Sequence, residues 1–133
     1  MSIFSEQACF MEQGKQVTNG LASQRQISLY AGLIEEESNE FLESFFKKQN
    51  DVESVKEAVD IIVVAAGFLV SMLGTEGAEE AWQAVYVSNL TKVSGLIDTR
   101  VDGKILKSEE YKKTAKKALM EKLDKIYTGI YEK

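Results

Sequence analysis

Residues 51–73 read DVESVKEAVDIIVVAAGFLVSML, and this stretch decides the fold class. It is apolar nearly all round from Ala58 to Leu73, and a helix of that kind must be covered on most of its sides. The chain contains no proline, so long helices are permitted throughout. We therefore expect residues 51–73 to form a central helix that ends at Gly74, with Asp51 as its N-cap.

Further helices are predicted on both sides of this central helix from capping residues and from apolar residues at helical spacing. The predicted elements are one helix over about residues 2–14, one from the N-cap Ser23 to about Gln49, one from the N-cap Thr75 to about Lys92, and a last helix that begins at Ser108. Asn50 and Asp51 predict a tight turn between the second helix and the central one. In the connection over residues 93–107, Asp102 and Gly103 predict a small hairpin.

The chain is 133 residues long, which predicts a single domain over residues 1–133. We expect an all-α helical bundle built on an antiparallel hairpin of the second helix and the central helix. Because the apolar residues exceed what a lone hairpin of helices can bury, we expect a second subunit to complete the bundle. The predicted assembly is a homodimer, with a tetramer as the alternative.

The composition excludes several kinds of active site. Without histidine, the chain cannot form a Ser-His triad, a Cys-His dyad or a His-ligated zinc site, and its single cysteine, Cys9, cannot form an internal disulfide. Any acid–base or metal chemistry must therefore come from carboxylates. The first twenty residues lack a secretion signal, and the longest apolar stretch, Ile61 to Leu73, is too short to span a bilayer. We expect a soluble, cytoplasmic protein without a membrane partner.

Two pairs of acidic residues have a spacing that places both members of each pair on one helix face. Glu37 and Glu40 form the pair on the second helix, and Glu57 and Asp60 form the pair on the central helix. An antiparallel hairpin that reverses near residue 48.5 sets the two pairs at the same height, and the turn predicted at residues 49–51 lies within about two residues of that point. We therefore expect four carboxylates to meet across one seam between helices.

Asp60 interrupts an otherwise apolar run, so we expect its carboxylate to be at least partly buried. Four carboxylates that face one another repel strongly unless a cation lies between them. Oxygen ligands without histidine or cysteine suit a hard ion, which indicates Mg²⁺ and also allows Mn²⁺. The alternative is that these acids are exposed or paired with nearby lysines, namely Lys47, Lys48 and Lys56.

Four segments of the chain resemble a known family. Residues 36–40 read EESNE, residues 57–60 read EAVD, residues 85–92 read VYVSNLTK, and residues 102–107 read DGKILK. The first two resemble the EExxE…ExxD signature of the MazG-like all-α nucleoside triphosphate pyrophosphohydrolases. The others are similar to the V-H-x-S-N-M-S-K and D-G-K-V-L-K segments of the branch related to phosphoribosyl-ATP pyrophosphohydrolase. Tyr86 stands where that branch often has histidine, which places an imidazole role out of reach.

This resemblance implies hydrolysis of a nucleoside triphosphate between the α and β phosphates, giving a monophosphate and pyrophosphate. It implies that the Mg²⁺ ligands are Glu37, Glu40, Glu57 and Asp60. Glu36 is then either a further ligand or the group that orients and deprotonates the attacking water. The residues implied to bind the substrate are Asn89, Lys92, Lys104 and Lys107.

Two other classes of function remain open. One is a non-catalytic helical interaction module with a vestigial acidic cluster, in which the basic end binds the acidic end of another subunit. Residues 1–90 carry a net charge of −9 and residues 91–133 a net charge of +4, which allows such pairing. The other is a nucleic-acid binder that uses the lysine-rich last helix. Acidic residues lie among those lysines and the whole chain has a net charge of −5, so we expect no nucleic-acid partner.

Overall fold

The computed structural model describes residues 2–93, 97–109 and 111–131, with only the backbone for Tyr131. Most of these residues are helical and none of them lies in a strand of a sheet, so the fold is all-α as predicted. The chain divides into two compact units, Met1–Ala78 and Glu79–Lys133, and each unit is described by itself below.

Four α-helices and two short π-helical segments make up the described residues. They are α1 (Ile3–Gln13), α2 (Gln24–Leu42), a π-helical segment (Glu43–Lys47), α3 (Asp51–Lys92), a second π-helical segment (Tyr111–Ala115) and α4 (Lys116–Tyr131). The residues predicted as two helices on either side of Gly74 lie in the single element α3, which leaves helical geometry at Gly74 with φ of +74°. A Cβ at this glycine would lie 3.2 Å from the backbone carbon of Asn19, so a larger residue would be strained by the backbone conformation and crowded against that segment.

Serine side chains begin the first two helices. The Ser2 hydroxyl accepts a hydrogen bond from the backbone N–H of Ser5, and the Ser23 hydroxyl accepts one from Gln26, each at 3.2 Å. Each hydroxyl satisfies a backbone donor that has no partner inside its helix. The prediction that Ser23 is the N-cap of the second helix is therefore confirmed.

The turn between α2 and α3 differs in one detail from the prediction. Asn50, rather than Asp51, is the N-cap of α3, because its side-chain oxygen accepts a hydrogen bond of 3.0 Å from the backbone N–H of Glu53. Asp51 is the first helical residue. Gln49, next to this N-cap, lies in the left-handed region, with φ of +52°.

The core of the first unit is formed by side chains from all three of its helices. It contains Phe4, Ala8 and Met11 of α1, Tyr30 of α2, and Val64, Ala66, Val70 and Ala78 of α3. The ring of Tyr30 occupies the space where a Cβ of Gly67 would lie, so α2 and α3 approach closely at this glycine. The Tyr30 hydroxyl donates a hydrogen bond of 2.5 Å to Gln16, in the connection between α1 and α2.

One face of α3 is not covered by the described residues, although an apolar helix was expected to be covered on most sides. The exposed fractions are 82% for Val52, 66% for Val55, 52% for Val59 and 52% for Ile62. We call these four residues the apolar stripe. Their spacing of three, four and three residues places them on one face of the helix.

Length and composition alone make α3 long and apolar enough to cross a membrane, and it is the one such helix found in the part of the chain that the structure describes. The buried core helix of a soluble protein meets the same criterion.

The second unit contains the predicted hairpin and the start of the last helical region. Thr99 and Ile105 form an isolated antiparallel bridge, and Gly103 between them has φ of +94°. Ser108 opens the helical region as predicted, because its hydroxyl accepts a hydrogen bond of 3.2 Å from the backbone N–H of Tyr111. The same hydroxyl donates to the backbone carbonyl of Thr91 at 2.8 Å.

Candidate metal centre

Three of the four carboxylates predicted as metal ligands converge in the first unit. Glu37 and Glu40 lie on α2 and Glu57 lies on α3, and one carboxylate oxygen from each lies within 4.8 Å of the other two. We call these three residues the glutamate cluster. The spacing of three residues between Glu37 and Glu40 places both on the side of α2 that meets α3.

A single register relates the contacts between the two halves of this seam. Four contacts share it, namely Gln26 with Ser71, Tyr30 with Gly67, Glu40 with Glu57 and Ser44 with Glu53, because the two residue numbers of each pair add up to 97. Half of that number is 48.5, which is the centre obtained from the sequence positions of the acidic pairs. Glu37 with Glu57 adds up to 94, since Glu37 lies about one helical turn before Glu40. The glutamate cluster therefore belongs to a regular series of contacts.

Two carboxylate oxygens in the cluster are buried without a hydrogen-bond partner among the described residues. They are Oε2 of Glu37 and Oε2 of Glu57. Glu57 is 6% exposed, so water cannot replace the missing partner easily. A buried polar oxygen without a partner is costly, and a proton or a cation is the means of satisfying a carboxylate.

The acid–base properties of Glu37 reflect this crowding. Burial, then a hydrogen bond with Glu40 and the negative charges of the neighbouring carboxylates, raises the pKa of Glu37 from 4.5 to about 7. The contributing charges are those of Glu40, Asp60 and Glu57. Near neutral pH, the cluster therefore tends to retain a proton in the absence of another positive charge.

Asp60 lies near these glutamates but has a different partner. The Lys56 ammonium nitrogen is 2.7 Å from Oδ2 of Asp60 and 3.5 Å from Oε1 of Glu57. Among the described residues, the group of three converging acids does not include Asp60. The alternative of pairing with lysine thus applies to Lys56, whereas Lys48 pairs with Glu53 at 3.1 Å instead of with a predicted ligand.

Glu36 is exposed on α2, next to Glu37 in the chain, and it is not part of the glutamate cluster. The two roles predicted for Glu36, further metal ligand or proton acceptor, both stay predictions. The exposed carboxylate is open to water, which the second role requires.

The residues predicted to bind substrate lie in the second unit, and the structure brings two of them to one aromatic ring. The ammonium nitrogens of Lys92 and Lys107 lie 4.9 and 5.7 Å from the ring centre of Tyr111, which is buried. Asn89 and Lys104 are exposed. The role of all four residues in substrate binding stays a prediction.

Tyr111 is a residue of this region that sequence reasoning did not single out. Ser88 was also missed. Its hydroxyl is buried and has no hydrogen-bond partner among the described residues.

The donor set of the glutamate cluster fits a hard divalent cation. It offers only carboxylate oxygens, and two of them are buried without a partner, which is the arrangement that Mg²⁺ or Mn²⁺ would satisfy. Comparison with known proteins adds no assignment. No protein-family model matches this sequence, and no curated protein matches it.

Proposed function

We propose that this protein is a cytoplasmic, Mg²⁺-dependent hydrolase that cleaves a nucleoside triphosphate between the α and β phosphates. The observation that carries the proposal is the glutamate cluster, in which Glu37 and Glu57 each have a buried oxygen without a partner. The resemblance of residues 36–40 and 57–60 to the MazG-like signature supports the same chemistry. A polyphosphate is strongly anionic, so an acidic site binds it only together with cations.

The proposed scaffold is an antiparallel hairpin of α2 and α3. It is supported by the shared sum of 97 for four contact pairs, because residue numbers that rise along one helix and fall along its neighbour describe helices of opposite direction. In this arrangement, Glu37 and Glu40 are held on one side of the seam and Glu57 on the other. Rigid helices are suited to holding ligands at fixed separations.

In the proposed site, Glu37, Glu40 and Glu57 hold Mg²⁺ or Mn²⁺, and Asp60 supplies a fourth carboxylate. When bound, the ion supplies positive charge that neutralises the phosphates. Glu36 accepts a proton from the attacking water, because its carboxylate is exposed beside the cluster. The water oxygen forms a bond to the α phosphorus while the bond from that phosphorus to the oxygen bridging to the β phosphate breaks, and pyrophosphate leaves with that oxygen.

Product analysis tests this proposal. The protein is incubated with Mg²⁺ and each member of a panel of common and modified nucleoside triphosphates, and the products are identified by ³¹P NMR. We expect monophosphate and pyrophosphate from at least one nucleotide, with no diphosphate, and a sharp loss of turnover in Glu40→Gln. Diphosphate with orthophosphate would contradict the proposed bond cleavage. No turnover of any nucleotide would favour the non-catalytic interaction module.

The proposed assembly is a homodimer that covers the apolar stripe. The apolar stripe has the alternating three- and four-residue spacing of a helix that pairs with another helix. A second copy presents the same stripe, and a twofold interface brings identical surfaces together. Burial of the stripe would also cover the sides of α3 that the chain itself leaves exposed.

Light scattering after size-exclusion chromatography tests this assembly. We expect the wild type to have twice the mass of the 14.8-kDa chain and Val59→Glu to have the mass of one chain. Val101→Glu is the matched control, because Val101 is an exposed valine outside the helices. A wild type with the mass of one chain, or a Val59→Glu variant that remains dimeric, would contradict the proposed interface.

A further inference from the structure

A lysine side chain provides a positive charge at the edge of the glutamate cluster. Lys56 is four residues before Asp60 on α3, and its ammonium nitrogen lies 2.7 Å from Oδ2 of that aspartate. The same nitrogen lies 3.5 Å from Oε1 of Glu57, whose other oxygen is buried without a partner. One ammonium group thus contacts the two acids that α3 contributes to the predicted ligand set.

The shorter contact with Lys56, at 2.7 Å against 3.5 Å for Glu57, distinguishes Asp60 from the glutamates. Glu37, Glu40 and Glu57 converge, whereas Asp60 is held by Lys56 and lies outside their group. The Lys56 side chain is 66% exposed, so the ammonium can withdraw to water without leaving a buried charge. The contact between Lys56 and Asp60 is therefore one that a competing cation can break.

We propose that Lys56 is a positioning residue that keeps Asp60 from the glutamate cluster in the metal-free protein and so lowers the affinity of the cluster for divalent ions. This inference rests on the metal site proposed above. When an ion binds, Asp60 exchanges the ammonium of Lys56 for the ion, and part of the binding free energy offsets the loss of the ion pair. Because of Lys56, the site fills only at a higher ion concentration than a site of four carboxylates without the lysine would need.

The test measures Mn²⁺ binding to the nucleotide-free protein by EPR detection of free Mn²⁺. We expect Lys56→Gln to bind Mn²⁺ roughly 2- to 5-fold more tightly than the wild type, since that is the worth of a partly exposed ion pair. Lys56→Arg should retain the wild-type affinity because it keeps the charge. Lys48→Gln is the matched control, because Lys48 is also an exposed lysine on the seam but pairs with Glu53. Damage to the fold would weaken binding, so a gain in affinity is not a structural side effect.

A second background isolates the role of Asp60. In Asp60→Asn, the substitution Lys56→Gln should change Mn²⁺ affinity by less than about 1.5-fold, because the contact through which Lys56 acts has already been removed. An equally large gain in that background would overturn the inference by showing that Lys56 acts only through its long-range charge. Equal Mn²⁺ affinity in the wild type and Lys56→Gln would overturn the inference alone. Absence of Mn²⁺ binding in both would overturn the proposed metal site as well.

Discussion

Two glutamates one helical turn apart on α3 have very different surroundings. The carboxylate of Glu53 accepts hydrogen bonds from the Ser44 hydroxyl at 2.7 Å and from the Lys48 ammonium at 3.1 Å. Glu57 has one oxygen 3.5 Å from the Lys56 ammonium, and its other oxygen is buried without a partner. The carboxylate of Glu53 thus finds its hydrogen-bond donors within the chain, whereas the carboxylate of Glu57 has one oxygen without a donor among the described residues.

We call the side of Glu53, Ser44 and Lys48 the structural end of the seam, and the glutamate cluster its proposed binding end. At the structural end, the hydrogen bond from Ser44, followed by that from Lys48, holds the pKa of Glu53 below its usual value. At the other end, burial raises the pKa of Glu37 to about 7. Partners that belong to the fold stabilise an ionised carboxylate, whereas their absence leaves a group that requires a proton or an external cation.

The largest expected effect is on activity, when Glu57 and Glu53 are each replaced by glutamine. Glu57→Gln should lower nucleotide hydrolysis by about 100-fold or more, because it removes a proposed metal ligand. Glu53→Gln, the matched control one turn away, should retain activity within about threefold and lose stability instead. Steady-state kinetics and urea denaturation of both variants measure the two effects. Similar losses of activity in both would remove the distinction between the two ends.

Mg²⁺ should stabilise the protein through the binding end alone. At an ion concentration of about 100 times Kd, linkage predicts about 2.7 kcal/mol, which corresponds to a rise in melting temperature of about 10 °C for a chain of this size. The rise should persist in Glu53→Gln and disappear in Glu57→Gln. Differential scanning fluorimetry with Mg²⁺ and with EDTA measures it, and an unchanged wild-type melting temperature in millimolar Mg²⁺ would contradict the site.

The two ends should also respond to pH in opposite directions. Glu37 has a raised pKa in the folded state, so its contribution to stability is present below pH 4.5 and is lost as the pH rises through about 7. Glu53 has a lowered pKa, so its contribution is present above pH 4.5 and is lost as the pH falls. Urea denaturation in EDTA should show stability declining from pH 5 to pH 8, and Glu37→Gln should reduce that decline. An identical pH profile in the variant would show that Glu37 does not cause it.

The smallest effect concerns the serine at the structural end. Ser44→Ala should lower the free energy of unfolding by about 1–2 kcal/mol, because it removes a buried hydroxyl that donates to a carboxylate. Ser88→Ala is the contrasting variant, since that buried hydroxyl has no partner among the described residues and its removal should cost almost nothing. Denaturant midpoints of the two variants compare these costs, and equal destabilisation would contradict the explanation.

Much of the architecture follows from local signals in the sequence. Ser23 and Ser108 begin their helices, and Gly74 interrupts α3, because hydroxyl caps and left-handed conformations depend on residues close in the chain. The meeting of Glu40 and Glu57 also follows from the sequence, since a short turn between two helices fixes their register. Asn50 and Asp51 are both good capping residues, and spacing alone does not decide between them.

Other features depend on competition between contacts, which spacing does not resolve. Asp60 lies three residues from Glu57 and four from Lys56, and the local ion pair with Lys56 prevails over the group of glutamates. Phe45 is 48% exposed and lies in a π-helical segment, Glu43–Lys47, that the helical spacing of the sequence does not predict. The sequence of α3 likewise shows that the helix is apolar, but it does not indicate which face of the helix is exposed.

The constant register of the seam has a consequence for the order of folding. Ser44 and Glu53 are nine residues apart in the chain, whereas Gln26 and Ser71 are 45 apart, so closing the first contact costs less conformational entropy. We expect the seam to form from the turn outward, and the glutamate cluster to assemble after the pair beside the turn. Glu40 and Glu57 are 17 residues apart, so the cluster forms before Tyr30 meets Gly67. Its repulsion therefore develops early, and in the metal-free protein it should slow folding more than it accelerates unfolding.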